Sequence, residues 1–425
     1  MFGFDTAVIS GVEKYLQTLW KLTPLQHGLT VSIALIGTVA GALFGGIPAD
    51  ILGRKKALML VAVIYLIAAL GTALAHDWWF FLVFRLLGGI GVGVSSIVAP
   101  LYITEIAPPA KRGRLVATFQ FNIVFGILMA YLSNYLLSGI DPAHSWRWML
   151  GVQAIPSLFF IVTVFVIPES PRWLILKKNN IREARQTLEI IDPAEADKTI
   201  EAIVNSADKK TSAGKFADVF SKTYRRPLML AVLFALFNQV SGINAIIYYA
   251  PRIFEMAGLG KESALLSSAG IGLVNLLSTF VGLALIDKYG RKTLMIIGSV
   301  GLIISLALVT QSFYRNEGGI MVPVYLFMFI AFFAFSQGAV IWVFIAEIFP
   351  NEVRAYGQTI GSSTHWIMAA LISFSFPMIT ETFGGAAAFG FFTLMMVCQF
   401  IFAWKIMPET KGKSLEDMDT IIISH

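Results

Sequence analysis

The stretch ADILGRKK, residues 49–56, decides the fold because it returns as IDKYGRK at residues 286–292. Two further motifs are repeated in the same order: EIAPPAKRGR from Glu105 as EIFPNEVRAYG from Glu347, and PESPRWL from Pro168 as PETKGKSL from Pro408. The three separations are 237, 242 and 240 residues. Such near-constant separation of unrelated motifs indicates two halves of the same topology.

The sequence between these motifs is strongly apolar. Hydrophobic residues fill 56% of the 425 positions and charged residues only 14%, whereas a soluble domain carries about 25% charged residues. This composition excludes a water-soluble globule. Eleven apolar segments have the length of a membrane span, and they lie near residues 28–51, 57–75, 79–106, 113–138, 147–167, 227–254, 264–286, 293–313, 321–348, 356–380 and 384–407.

The chain opens with MFGFDTAVISG, an apolar stretch that is too short to cross about 30 Å of hydrocarbon. We interpret it as the second half of a twelfth helix; the alternative is a short interfacial helix. A charged n-region and an A-x-A site are both absent from this stretch, which argues against a signal peptide. The expected fold is an all-α membrane protein with twelve transmembrane helices in two six-helix repeats, the first helix being truncated.

The distribution of Lys and Arg sets the predicted topology. Alternate assignment of the connecting segments puts 25 of them on one side and six on the other, and Arg85 lies within a span. The positive-inside rule then places both termini in the cytoplasm. We expect a six-helix half at 1–167, a cytoplasmic helical linker at 168–226, a second half at 227–407 and a cytoplasmic tail at 408–425.

The basic balance and the single cysteine exclude several functions. The net charge is +6, but the basic residues fall in short clusters between apolar runs, which argues against nucleic-acid binding. Cys398 is the only cysteine, so an intrachain disulfide and a thiolate metal cage are both excluded. The five histidines are scattered, and the spacings of membrane metalloproteases, serine hydrolases and P-loop ATPases are absent. We therefore expect no enzyme, no metal and no cofactor.

The repeated motifs also have a mechanical interpretation. In each D-x-x-G-R-K loop, glycine permits a tight turn while aspartate and arginine pair across adjacent helix ends. Glu105 with Arg112, and Glu347 with Arg354, share a seven-residue spacing that would allow each pair to latch neighbouring helices at the cytoplasmic mouth. The alternative is that these charges only set topology.

Two charges lie inside predicted spans. Arg85 follows Asp77 by eight residues and Asp5 precedes Glu13 by eight, so both are about 12 Å deep at 1.5 Å per residue. An ionised group at such depth costs about 3 kcal/mol and usually faces a cavity or a partner. Asp5 is then a candidate proton acceptor and Arg85 its counter-charge; a fixed ion pair between helices is the alternative.

The segments GFDTAVISG, RLLGGIGVG, the two GRK loops, PESPRWL, NQVSGINAIIYYAP and PETKGKSLE resemble the sugar porter family of the major facilitator superfamily. This resemblance implies alternating access and monosaccharide transport across the inner cell membrane, with a protein that acts as a monomer. Aspartate at position 5 resembles the proton-coupled members, which predicts symport. Gln153 stands where some of those members carry glutamate, so a uniporter stays an alternative. A non-transporting sugar sensor is disfavoured, because only a short tail follows Met407.

The predicted sugar site consists of amide, hydroxyl and aromatic side chains within spans, since sugars present hydroxyls and one apolar ring face. Gln120, Tyr131 and Asn134 share one face of the fifth span. The resemblance implies contacts with the sugar at Phe2, Gln120, Gln239, Asn244, Tyr248, Asn275, Gly338, Trp342 and His365. The alternatives are interhelical hydrogen bonds for the amides and an interfacial anchor for Trp342.

His365 stands where the family commonly has a glutamine that contacts the sugar. It either takes that role or is a packing residue bonded to Ser362 or to a backbone carbonyl. The resemblance also implies a cytoplasmic gate formed by Asp50, Arg54, Glu105, Arg112, Glu169, Asp287, Arg291, Glu347, Arg354 and Glu409.

Overall fold

The structure is a computed structural model that describes residues 1–108, 112–141, 143–193, 195–208, 216–350 and 353–411. All regular secondary structure in these residues is helical. The helices are α1 (Phe2–Val8), α2 (Glu13–Leu19), α3 (Pro24–Phe44), α4 (Gly46–Leu52), α5 (Arg54–Ala73), α6 (Trp78–Ile106), α7 (Arg112–Leu137), α8 (Ser145–Gly151), α9 (Ala154–Val166), α10 (Pro171–Lys178), α11 (Ile181–Ile191), α12 (Ala196–Asp208), α13 (Arg225–Val240), α14 (Ile243–Met256), α15 (Lys261–Tyr289), α16 (Arg291–Arg315), α17 (Met321–Phe333), α18 (Ala339–Glu347) and α19 (Arg354–Lys405).

Ten helical stretches in the described residues are long and apolar enough to cross a membrane. One of them, Tyr356–Lys405, is 50 residues long and is broken at Gly384, whose φ of 80° is not helical. It therefore contains two spans. The resulting eleven spans coincide with the eleven apolar segments of the sequence. The chain is thus a multi-pass membrane protein.

The first predicted span is short and interrupted. α1 and α2 flank a 3-10 turn at Ile9–Gly11. At this turn a Cβ on Gly11 would contact the side chain of Asn134. Only glycine permits such a close approach of the helices.

Backbone contacts divide the described chain into two compact units. The first unit contains Met1–Asp5, Ile33–Gly126 and Leu150–Ala213. The second contains Thr6–Ser32, Ile127–Met149 and Gly214–His425. Residues 209–213 of the first unit, and 214–215 and 412–425 of the second, are among those outside the described residues. These units do not follow the predicted half boundaries, because the first helix and α7 each contribute to both. The predicted boundaries at 168, 227 and 408 stay predictions.

In the first unit, the glycine-rich segment RLLGGIGVG explains how α3 packs on α6. A Cβ on Gly89 would collide with the carbonyl of Ala34, and one on Gly93 would collide with the carbonyl of Thr38. Glycines four residues apart line one face of a helix and let two backbones approach closely, as in other membrane helix pairs. α6 is thereby fixed along its length, and Arg85 is one turn away from Gly89.

The segment between the two halves folds as three short helices on one apolar cluster. Ser170 caps α10 by accepting from the backbone N–H of Trp173 at 3.2 Å, and Asn180 caps α11 in the same way. The buried side chains of the cluster are Trp173, Leu174, Ile175, Ala184, Leu188, Ala196 and Ile200. The linker thus has a small core of its own.

In the second unit, α16 and α13 pack along α19. The seventh span is broken at Gly242, which has a φ of 86° and separates α13 from α14. α14 bends again at Tyr249, just before Pro251. The tenth span contains a π-helical turn at Ala334–Gly338, which is a feature often found at functional sites.

Candidate functional site

The first unit contains a buried ion pair within the membrane span. Arg85 Nη1 donates to Asp5 Oδ1 at 3.2 Å, and Gln153 Nε2 donates to the same oxygen at 2.7 Å. All three side chains are at most 3% exposed. Arg85 Nε has no hydrogen-bond partner among the described residues. The carboxylate is therefore held by one cation and one neutral amide.

Close packing of α1 against α7 fixes the position of Asp5. A Cβ on Gly3 would collide with the carbonyl of Ile123, and one on Gly126 would lie 2.8 Å from the amide nitrogen of Phe4. Such contacts leave the helix little freedom to shift. Removing one partner of a buried pair leaves an uncompensated charge and costs about 3–5 kcal/mol. A proton on Asp5 removes that charge, so the strength of this pair depends on protonation.

The second unit contains a cluster of amides at the break between α13 and α14. Asn244 Nδ2 donates to Gln239 Oε1 at 2.7 Å, and Gln239 Nε2 donates to Asn238 Oδ1 at 2.9 Å. The same Nε2 lies 3.1 Å from His365 Nδ1. The break at Gly242 is what allows two residues on consecutive helices to meet. The cluster offers donors and acceptors of the kind that sugar hydroxyls bind.

His365 joins this amide cluster to an aromatic group. Its ring centroid is 4.9 Å from that of Trp342 and 4.9 Å from that of Trp366. The observed partner of His365 is Gln239, whereas both packing alternatives in the sequence analysis named other groups. Trp342 is 38% exposed. The imidazole of His365 thus contacts both the amide of Gln239 and the indole of Trp342.

The remaining predicted sugar residues differ in burial and in the unit to which they belong. Tyr248 and Asn275 are buried on α14 and α15, and Gly338 ends the π-helical turn. Phe2 and Gln120 are half-buried residues of the first unit. Their roles stay predictions.

Tyr131 and Asn134 have packing roles in the structure. The Tyr131 hydroxyl donates to the carbonyl of Ile247 at 2.7 Å, and Asn134 Nδ2 donates to the carbonyl of Val8 at 3.1 Å. Each side chain therefore bonds to the backbone of another helix.

Each unit contains one copy of the same charged cluster. In the first, Arg54 binds both oxygens of Glu105, each at 2.8 Å, and Asp50 at 3.2 Å. Glu169 Oε1 accepts from the backbone N–H groups of Arg54 and Lys55 at 2.9 and 3.1 Å. Glu169 thereby caps α5 at its N-terminus, where the helix dipole also favours an anion.

The second unit reproduces this arrangement. Arg291 binds the oxygens of Glu347 at 2.8 and 3.2 Å and Asp287 at 3.1 Å. Glu409 accepts from the backbone N–H groups of Arg291 and Lys292 at 2.9 and 3.0 Å, and so caps α16.

The predicted latch needs a correction. The seven-residue spacing paired Glu347 with Arg354, but the structure pairs Glu347 with Arg291, and Arg354 Nε donates to the carbonyl of Phe349 at 3.0 Å. Arg291 is the partner of Glu347 because Gly290 places Arg291 at the start of α16, next to the Glu347 carboxylate. Glu105 is likewise bound by Arg54. The side chain of Arg112 lies outside the described part of the structure.

A further polar cluster in the second unit was missed by sequence analysis. Arg252 Nη1 donates to Gln17 at 2.8 Å, to Glu13 at 3.4 Å and towards His27 Nδ1 at 3.2 Å. Its Nη2 donates to Glu381 at 3.1 Å. These partners are between 129 and 239 residues from Arg252 in sequence, so helical periodicity gives no signal for them. Helical periodicity gives no signal for Gln153 either, and only the family resemblance indicated a position near the Asp5–Arg85 pair for it.

The fold and its polar sites define the class of protein as a multi-pass membrane transporter. The sequence model of the family described as "Sugar (and other) transporter" matches residues 1–422. The chain therefore belongs to that family, which confirms the predicted resemblance and a transport function rather than an enzymatic one.

Two relatives and one solved structure illustrate the similarity. The arabinose-proton symporter of Bacillus subtilis is 38% identical over 100% of this chain and 92% of its own length. The D-xylose transporter of Levilactobacillus brevis is 36% identical, over 99% and 93%. The inward-open xylose transporter XylE from E. coli has a TM-score of 0.88 and 32% identity, covering 99% of this chain and 96% of that one. The predicted major facilitator fold is confirmed.

Proposed function

We propose that this protein is a proton-coupled monosaccharide symporter that works by alternating access. The observation that carries the proposal is the buried contact of Asp5 with Arg85 and Gln153. Among the similar proteins, those of Bacillus subtilis and E. coli are described as arabinose-proton and D-xylose-proton symporters. These descriptions support a pentose as substrate and a proton as the coupling ion, and the similar glucose transport protein of Synechocystis sp. supports a hexose as the other possible substrate.

Proton coupling follows from the charge state of Asp5. The ionised carboxylate attracts Arg85, whereas the protonated carboxyl does not, so the helices that carry the two residues are held with different strength in the two states. Such a difference in stability is what any shift between two conformations requires. Gln153 keeps a neutral donor on the carboxylate and adds no second titrating group. Asp5 is therefore the single carboxyl of this triad that exchanges a proton.

Sugar recognition is assigned to the amide and aromatic groups of the second unit. Gln239, Asn244 and His365 already exchange hydrogen bonds, which sugar hydroxyls would replace. Trp342 supplies a flat apolar surface for the sugar ring. Tyr248, Asn275 and Gly338 extend this group, and in the first unit we assign Phe2 and Gln120 to sugar binding from their positions in the family.

The twin charged clusters are assigned to the cytoplasmic gate. Each bidentate arginine–glutamate pair joins helix ends within its own unit. The capping glutamates, Glu169 and Glu409, join their own segments of chain to the starts of α5 and α16. We place the protein in the cell membrane with both termini in the cytoplasm, because the clusters concentrate Lys and Arg on one side. We expect it to function as a monomer.

Uptake into proteoliposomes tests this function. Radiolabelled xylose, arabinose, glucose and galactose are offered singly, with the outside more acidic than the lumen. We expect at least one sugar to accumulate above its external concentration, and accumulation to vanish when a protonophore collapses the gradient. Accumulation that survives the protonophore, or no uptake of any of the four sugars, would contradict the proposal.

A uniporter is the second candidate, and the amide at Gln153 is the observation that favours it. A uniporter would bring the same sugar to equal concentrations inside and outside, whatever the imposed pH gradient. The uptake experiment therefore separates the two candidates directly.

A further inference from the structure

The cluster around Arg252 contains the most deeply buried histidine that the proposed mechanism does not use. His27 and Glu13 are 0% and 1% exposed. His27 Nε2 lies 2.5 Å from Glu13 Oε2, while its Nδ1 lies 3.2 Å from Arg252 Nη1. The imidazole is thus placed between an anion and a cation.

Local sequence fixes these positions. Thr23 and Gln26 form a reciprocal cap at the start of α3, in which the N–H of Thr23 donates to Gln26 Oε1 at 3.0 Å and the N–H of Gln26 donates to Thr23 Oγ1 at 3.3 Å. This cap puts His27 in the first turn of the helix. Glu13 begins α2 directly after the 3-10 turn, and Arg252 follows the kink at Tyr249 and Pro251.

The contact with Arg252 indicates which nitrogen of a neutral His27 ring carries the proton. A guanidinium can only donate hydrogen bonds, so Nδ1 is the acceptor and carries no proton. The single proton of the ring is therefore on Nε2, where it faces the carboxylate of Glu13. A second proton would place an N–H of an imidazolium against the N–H groups of Arg252, and the contact between them would be lost.

Other charged and titratable groups around this contact do not remove that conflict. Glu381 on α19 accepts from Arg252 Nη2, and the ring centroid of Tyr249 lies 5.8 Å from that of His27. The Tyr249 hydroxyl donates to the carbonyl of Ser373 at 2.9 Å and is thus occupied. Lys14 is paired with Glu255, and Lys261 with Tyr15. Arg252 is then the cation that an added proton on His27 would meet.

We propose that His27 is a second proton-binding site of this transporter, and that a proton bound there weakens the contact of α3 with α14. The inference rests on the proposed proton-coupled function but uses none of the residues of the Asp5 triad. The predicted topology puts this end of the helices on the outer side. A low external pH therefore weakens a contact on the outer side of the membrane. A symporter takes up its proton and its sugar from that side.

Protons from solvent can reach the cluster. A cavity of about 820 Å³ borders it, and its lining includes Glu13, Gln17 and Arg252. Glu13 is in turn in contact with His27 Nε2. The carboxylate thus lies between the cavity and the imidazole, as a relay for the proton.

Distance measurements between spin labels test this site. The labels are attached to cysteines that replace Leu25 on α3 and Tyr314 on α16, which are 55% and 81% exposed, in a Cys398→Ser background. The full chain is kept in nanodiscs without sugar or a pH gradient. We expect the ratio of open to closed distances to rise about tenfold between about pH 7.5 and about pH 5.5, the range over which histidine changes charge.

Matched variants identify the origin of the response. In His27→Gln, the amide accepts from Arg252 and donates to Glu13 but gains no charge, so the ratio should stay within about twofold over the same pH range. His144→Gln, which alters an exposed histidine paired with Asp141, should keep the full response.

Two results would overturn the proposal. One is a His27→Gln variant with the wild-type pH response, and the other is a response that disappears in the control variant His144→Gln. Since the distances are measured without sugar and without a gradient, a failure of symport in uptake assays and a failure at His27 are separate results.

Discussion

The two repeats are alike at their charged ends and differ inside the membrane. Arg54 and Arg291 each bind a glutamate through two guanidinium nitrogens and an aspartate through the third. In the interior, the first unit has the buried Asp5–Arg85 pair, whereas the second has amides centred on Gln239. The difference indicates that duplication kept the contacts that join helix ends, while the polar groups of the two interiors diverged.

The two kinds of contact contribute differently to stability, which explains why the helix ends are alike and the interiors differ. A bidentate arginine–carboxylate contact at a helix end suits any helical repeat, whatever the repeat transports. A buried ion pair is weak evidence for stability, since apolar residues of similar size often replace it without loss. The retention of the Asp5–Arg85 pair in the interior of the first unit therefore favours a functional role for that pair.

The largest effect should follow from Arg85→Gln. The variant leaves Asp5 buried without a counter-charge, which costs about 3–5 kcal/mol if the carboxyl stays ionised. We expect a strongly reduced yield of folded protein in detergent, measured by size-exclusion chromatography, and no accumulation of sugar. The double variant Asp5→Asn, Arg85→Gln should recover the yield but not the accumulation. Recovery of both would mean that the pair only joins helices.

The twin clusters allow a comparison at matched positions. Glu105→Gln and Glu347→Gln each remove one charged acceptor from an arginine, and a hydrogen bond to a charged group contributes about 1.5–3 kcal/mol. The Glu105 side chain is 7% exposed and that of Glu347 27%, so solvent compensates more at Glu347. We expect a larger fall in thermal stability for Glu105→Gln. Equal falls would contradict the argument from exposure.

A smaller effect is expected at the amide cluster. Gln239→Ala removes one donor and one acceptor, and about 1.4 kcal/mol of lost binding raises the half-saturation concentration about tenfold. Gln399→Ala is the control, because Gln399 is a buried amide bonded to Gln337 and Ser299, outside the proposed site. A rise in both variants, matched by equal loss of folded protein, would favour packing roles for both amides.

The smallest change should come from His365→Gln. The amide keeps one donor and one acceptor opposite Gln239 but reaches further than the imidazole. We expect transport rates within about threefold of the wild type for the best sugar, since that hydrogen bond is preserved. The order of preference among sugars should change, which uptake competition between xylose, arabinose, glucose and galactose measures. An unchanged order would indicate that His365 does not contact the sugar.

The sequence predicted those features that depend on local pattern. The spans follow from apolar runs, the repeat from motif spacing, and the pairs Asp50–Arg54 and Asp287–Arg291 from the tight turn that glycine permits between two adjacent helix ends. Among partners distant in sequence, Asp5 and Arg85 were predicted from their equal depth in the membrane, whereas most others gave no such signal. The spacing of Glu347 and Arg354 gave the wrong arginine, because the choice depends on how α16 begins. Gln153 and the Arg252 cluster depend on packing between helices, which no period in the sequence encodes.

Sugar-induced proton movement tests the central claim most directly. Proteoliposomes without an imposed gradient are suspended in weakly buffered medium, and the external pH is followed when the transported sugar is added. The account predicts that the wild type makes the medium alkaline, and that Asp5→Asn still exchanges labelled for unlabelled sugar without any pH change, while Asp141→Asn behaves as the wild type. A pH change that persists in Asp5→Asn would contradict it.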